Sequence, residues 1–182
     1  MYTSAAGPAP LRGVTLIELI VFIAIVSVGL AGLMSTYTAA VRGSADPMQR
    51  KQALAIAEAL LEEVSRAAFT WCDPADANLD TATSAAGCAS LPENSGPEAG
   101  NSRPYDNVND YAGFTLAGIT DQSGNAISGL SGYSANVAVG AAALNGIAAG
   151  EALRVTVTVT APDGNSYALD GWRTRYAPNS PP

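Results

Sequence analysis

The chain has 182 residues, enough for one domain with a substantial core plus an appendage. Its 9 basic and 16 acidic residues give a net charge of −7, which excludes a general attraction to nucleic acid, because the phosphate backbone is held through Lys and Arg. It contains no histidine, the commonest general base and metal ligand, and no P-loop, nucleotide-binding glycine fingerprint or nucleophile with an evident base. The composition therefore points away from an enzyme.

Residues 1–13, MYTSAAGPAPLRG, carry one charge, Arg12, so their removal would leave 8 basic and 16 acidic residues, a net charge of −8. An apolar block follows. Leu19 to Val41 is a run of 23 residues without a formal charge, which as a helix spans about 35 Å against a hydrocarbon core of roughly 30 Å. A secretory signal peptide has a shorter apolar core, and a buried soluble helix of this length would show a polar face. A signal anchor fits the block taken alone. Arg12 and Arg42 flank it on opposite sides, so charge bias does not orient it. Gly29 and Gly32 are ordinary in membrane helices, and their spacing is not GxxxG.

One residue breaks the apolar pattern. Glu18 stands at the start of the block, within Gly13-Val14-Thr15-Leu16-Ile17-Glu18-Leu19-Ile20. A carboxylate near bilayer depth is costly and requires a partner. No basic residue lies one helical turn away on the same chain, so the partner must come from elsewhere, and the N-terminal amine of a neighbouring copy would serve.

The segment Gly13 followed by VTLIELIV resembles the cleavage and methylation segment of type IV prepilins, G-F-T-L-I-E. The resemblance implies cleavage after Gly13 by a membrane-embedded prepilin peptidase, with N-methylation of Val14 by the same enzyme. It implies that Glu18 sets assembly register by pairing with the amine of an adjacent subunit. Val14 stands where the family usually has Phe. The implied partners are other pilin subunits, the peptidase and the inner-membrane assembly platform. The implied location is the inner membrane as a single-pass protein with a periplasmic C-terminal domain, and then the pilus. The resemblance covers the first quarter of the chain. The stretch GSADPMQRKQALAIAEALLEEV and the later Cys-Asp-Pro and Tyr-Asp-Asn-Val-Asn-Asp-Tyr segments are further similar to minor pilins of the mannose-sensitive haemagglutinin (MSHA) pilus group.

The period then changes. Leu54, Ala57, Leu61, Val64 and Ala68 recur at helical steps, with Ile56 and Leu60 widening the stripe. Gln52, Glu58, Glu62 and Arg66 form the opposite face, with Glu62 and Arg66 spaced for an ion pair. Asp46, Pro47 and Gln49 mark a start or a kink, through a cap, a first-turn proline and a capping box. A helix from Val14 to near Phe69 would be about 84 Å long, suited to a filament stem. The organisation expected is a leader over 1–13, a transmembrane helix over 14–42, an amphipathic helix over 43–70, a loop region over 71–110 and a β domain over 111–182.

With the C-terminal side of the helix outside the cytoplasm, Cys72 and Cys88 meet an oxidising compartment and are expected to pair. Such a bridge would stabilise by about 3 kcal/mol in the chain-entropy picture. The absence of histidine and of C-x-x-C spacing argues against zinc or a redox motif. Prolines and glycines keep residues 73–110 irregular. Asp76, Asn78 and Asp80 alternate like the start of a calcium loop, and Asp106, Asn107, Asn109 and Asp110 invite the same comparison. The turn glycine and closing glutamate of such a loop are missing, so these are read as turn residues bonding their own backbone. No metal and no cofactor is expected.

Strands are expected at Tyr111–Ala117 and Tyr133–Val139, and most clearly at Leu153–Thr160, where Leu and Val alternate with Arg and Thr. Pro162-Asp163-Gly164-Asn165 reads as a turn into a partner strand over Tyr167–Tyr176. An antiparallel sheet with one apolar face needs a cover, which the amphipathic helix supplies. The fold class is α+β, and type IV pilins share it. Trp172 and Tyr176 read as sheet residues rather than a sugar platform. The functional reading is a minor pilin. A pseudopilin of a type II secretion system, or an anchored adhesin with a ligand-binding β domain, is the alternative, and a basic strip at Arg154, Arg173 and Arg175 would reopen DNA binding.

Overall fold

A computed structural model describes Gly13 and residues 15–180, and the chain falls into two units, Met1–Asp46 and Pro47–Pro182. Helix α1 covers Leu16–Arg66 with Pro47 in its interior. The helix therefore does not restart at Pro47, and Gln49 Oε1 makes no hydrogen bond, so the expected capping box is not formed. Proline removes one helical hydrogen bond at a cost of about 3 kcal/mol. The Ala-, Leu- and Glu-rich run after it, with strong helix propensity and a buried seam, outweighs that loss. The Asp46 cap expected there falls on a side chain outside those described.

In the first unit, Leu16–Thr38 is long and apolar enough to cross a membrane, and none of it is buried. In the second unit, Ala53, Ile56, Ala57, Leu60 and Val64 form the buried seam of α1, which Ala67 continues just past its end. The expected stripe is thus rotated slightly, leaving Leu54 and Leu61 at its margin.

Strands β1 (Thr115–Ala117), β2 (Ser134–Ala141), β3 (Ala152–Thr160) and β4 (Ser166–Thr174) form one antiparallel sheet in sequence order. The register pairs Val137 with Val157 and Val157 with Leu169. Because strand side chains alternate, Val155, Val157 and Val159 all face the core with the helix seam, as the alternation in the sequence requires. The expected turn is present: Ala161 donates to the Asn165 carbonyl at 2.9 Å, and Gly164 takes the positive φ of 85° that a tight hairpin demands. Gly171 has a packing reason. A Cβ there would lie 2.8 Å from Leu61 Cδ1, so its absence lets the helix approach β4.

The strand expected over Tyr111–Ala117 is cut to its last three residues. Val108–Tyr111 forms a 3₁₀ turn capped by Asn107, whose side chain accepts from Asn109 N while Asp110 bonds back to Asn107 N. Gly113, at a φ of 80°, then redirects the chain. Tyr111 is consequently core rather than strand, fully buried and edge-to-face with Tyr105 and Phe114.

Candidate functional site

The residues assigned by the prepilin resemblance lie at the start of α1. Gly13 is exposed, with nothing within 4 Å of the position its Cβ would take. Val14 and residues 1–12 lie outside the described residues, so the leader and the methylation position do too. Thr15 Oγ1 accepts from the Glu18 backbone N–H at 3.4 Å, which makes Thr15-x-x-Glu18 a helix-start pattern in its own right. Glu18 sits in the first turn, where an acid favours the helix dipole, and its side chain is exposed. Among the described residues it has no ion-pair partner.

Beyond Glu18 the span offers a wholly apolar surface: Leu16, Ile17, Leu19, Ile20, Phe22, Ile23, Leu30 and Leu33 are all more than half exposed. Three of its hydroxyl groups turn inward. Ser27 Oγ donates to the Ile23 carbonyl at 2.7 Å, Thr36 to Leu33 at 2.9 Å and Thr38 to Met34 at 2.8 Å. Polar side chains satisfied on their own turn are what a low-dielectric surrounding requires. Tyr37, 68% exposed near the end of the span, suits an interfacial position.

Past the end of α1, Cys72 and Cys88 are joined by a disulfide, as the sequence suggests. Asp76 organises the loop between them. Its carboxylate accepts from the backbone N–H groups of Ala89 (2.9 Å), Ser90 (2.8 Å), Asn78 (2.8 Å) and Leu91 (2.7 Å). Those donors hold it far below the ordinary carboxylate range. With its oxygens so engaged, Asp76 is a loop clasp, and Asp76, Asn78 and Asp80 make no calcium loop.

The interior of the second unit holds an ion pair that periodicity did not indicate. Glu63 and Arg103 meet through two parallel hydrogen bonds of 2.6 and 2.7 Å, with side chains 7% and 12% exposed. Tyr111 donates to Glu63 Oε1 at 2.9 Å, and Arg103 reaches the Thr120 and Asp121 carbonyls, each at 3.1 Å. Burial pushes the Glu63 carboxyl up, but bonding to Arg103 and Tyr111 outweighs it and holds the group below 4.5. An open groove of about 700 Å³ lies alongside, between α1 and residues 119–130, lined by Ala55, Ile56, Ala59, Ile127 and Leu130. Of its polar wall residues, Arg103 is bonded to both Glu63 and Thr120, while Gln52, Gln122 and Ser123 also line it.

The arginines considered as a basic strip are engaged within the chain. Arg154 pairs with Asp170 at 2.6 Å, and Arg173 donates to the Ala67 carbonyl at 3.1 Å. Arg175 lies 3.6 and 3.7 Å from the Phe69 and Trp71 ring centres and donates to the Phe69 and Thr70 carbonyls. Burial lowers its guanidinium to about 10, against the pull of Glu151 and Glu93. Arg173 and Arg175 thus satisfy carbonyls just past the end of α1. Trp172 sits on the edge strand β4 and is 40% exposed, whereas Tyr176 lies beyond the strand, 74% exposed and stacked on Arg173.

Comparison with protein-family models, curated proteins and solved structures returned no match.

Proposed function

We propose that this protein is a type IV pilin-like subunit, a minor pilin of an MSHA-like pilus. Prepilin peptidase removes residues 1–13, cutting between Gly13 and Val14 and methylating Val14. The span from Leu16 to Thr38 resides in the inner membrane, with the α+β domain on the periplasmic side, until the assembly platform moves the subunit into a filament. Glu18 then pairs with the N-terminal amine of a neighbouring subunit. The chain's part in enzymology is that of a substrate.

The observation that carries this reading is the unburied apolar span with one carboxylate in its first turn, preceding an independent α+β unit. A plain anchor has no use for a charge at that depth, which is costly without a partner. The commitment of Arg154, Arg173 and Arg175 to partners within the chain weighs against a DNA-binding reading.

The test is N-terminal and intact-mass spectrometry of protein from native membranes. A chain beginning at Val14, with or without a methyl group, is the expected result. Retention of residues 1–13 in cells with active peptidase would overturn the proposal.

A further inference from the structure

Five carboxylates converge beside the disulfide loop. Asp73, Glu93 and Glu98 form one group and Glu98, Asp106 and Asp110 another, each with carboxylate oxygens within 4.8 Å of one another. They arrive from separate segments fixed by backbone bonds: Asp73 N to the Leu91 carbonyl (2.9 Å), Glu93 N to Trp71 (3.0 Å), Gly96 N to Asn109 (3.0 Å) and Ala68 N to Asp106 (2.9 Å). The cluster is therefore built into the fold rather than formed by chance meeting of mobile side chains.

Asp110 supplies a second, independent observation. The residue is wholly buried, at 0% exposure. Its Oδ2 accepts from Asn107 N at 3.2 Å, but Oδ1 is buried without any hydrogen-bond partner. Asp106 Oδ1 and both Glu93 carboxylate oxygens are in the same condition. Buried carboxylate oxygens facing other carboxylates, with no donor, lack a positive charge. Arg175 attracts Glu93, but its Nη1 donates to the Phe69 and Thr70 carbonyls and its Nε faces the Glu151 carboxylate at 3.5 Å, and one guanidinium cannot balance five acids.

We propose that Glu98, Asp106 and Asp110 bind a calcium ion, with Asp73 and Glu93 adding negative charge on the far side of Glu98. The donors are all carboxylate oxygens, with no histidine in the chain and both cysteines in a disulfide, which selects a hard cation. Three carboxylates meeting on one centre suit calcium, with bonds of about 2.3–2.6 Å, better than magnesium, which keeps its water and takes one or two. The sequence invites a calcium comparison at Asp106 and Asp110, which read as turn residues for want of a closing glutamate; Glu98, upstream of them, joins the aspartates only after the loops close.

Terbium is a direct probe, because Trp71, whose carbonyl bonds Glu93 N, can sensitise its emission. Full-length protein in detergent, stripped with EGTA and exchanged into chelator-free buffer, should give saturable terbium emission that calcium displaces at least tenfold more readily than magnesium. Calcium should also raise the melting temperature progressively with concentration. Glu98→Gln should weaken both effects at least tenfold while melting like the unaltered protein in EGTA, and the exposed control Glu58→Gln should leave them intact. The proposal falls if millimolar calcium neither displaces terbium nor shifts the melt, if magnesium competes equally, or if Glu98→Gln titrates like the unaltered protein.

Discussion

Replacing Arg103 by Met should strand Glu63, and the size and sign of the effect follow from the geometry. The pair is nearly buried and doubly hydrogen-bonded. Removing one partner of such a pair costs about 3–5 kcal/mol, because the remaining charge has lost both water and its counter-ion. The second unit has about 136 residues. With an unfolding entropy near 2.1 cal/mol/K per residue, that loss corresponds to a fall in Tm of about 10–17 °C. Both tryptophans, Trp71 and Trp172, lie in this unit, so a fluorescence melt of the full chain in detergent reports it. The pH trend is a sharper test. In the unaltered protein the Glu63 carboxyl is held below 4.5, so its contribution is complete at neutral pH and is lost as pH falls through the lowered value. In Arg103→Met the Tyr111 bond remains but the guanidinium is gone, so burial weighs more, the carboxyl rises relative to the unaltered protein, and the folded variant takes up the proton first. The stability deficit of the variant should therefore shrink as pH falls from 7 to 5, when taken as variant minus unaltered protein at each pH so that common groups cancel. In Glu63→Gln/Arg103→Met the two losses should be less than additive by at least 1 kcal/mol. A Tm within about 3 °C of the unaltered protein, or a deficit that grows towards pH 5, would refute the reasoning.

Four further outcomes are expected. Cys72→Ser with Cys88→Ser should lower stability by about 3 kcal/mol, and an unchanged melt under oxidising conditions would mean that Asp76 alone holds the loop. Asp76→Asn replaces an acceptor by a donor facing backbone N–H groups; because the Asp76 carboxyl is lowered from 3.8, its contribution is present above that value and lost in acid, so the variant should melt lower at pH 7 and converge on the unaltered protein at the acid end of a pH series. Gly171→Val should cost about 1–3 kcal/mol by overpacking against Leu61, and Leu61→Ala in the same chain should recover part of it; absence of recovery would move the strain elsewhere. Glu18→Ala should leave the protein in the membrane fraction but reduce its recovery in sheared filaments, and normal recovery would end the register argument.

The sequence displayed what depends on period. Leu153–Thr160 alternates strictly, and β3 buries the valines that the alternation selects. The helical steps around Ala57, Leu60 and Val64 gave the seam to within a small rotation. Pairing of the cysteines followed from their number and expected compartment. What period could not convey was contact between segments distant in the chain. Glu63 falls outside both the apolar stripe and the opposite polar face, and its partner is an arginine in an irregular stretch 40 residues away. Asp76 looked like a turn residue, which it is, but its reach to Ala89, Ser90 and Leu91 depends on how the loop closes. Tyr111 read as the first residue of a strand, whereas the Asn107–Asp110 cap and Gly113 determine its conformation. Glu18 was legible for the opposite reason: it is one charge at the edge of an uncharged run.

The hydroxyl groups folded back within the membrane-length span bear on what that span can discriminate. A lateral hydrogen bond between helices fixes both direction and spacing, and Ser27, Thr36 and Thr38 have each committed their donor to their own helical turn. Sliding the span one turn, about 5.4 Å, along an apolar neighbour trades one set of dispersion contacts for a nearly equivalent set. Those three hydroxyls therefore give such a surface no address. In the proposed filament, a preference for one offset over the next would fall to Ser35, Tyr37 and the one carboxylate of the span, Glu18, at its start.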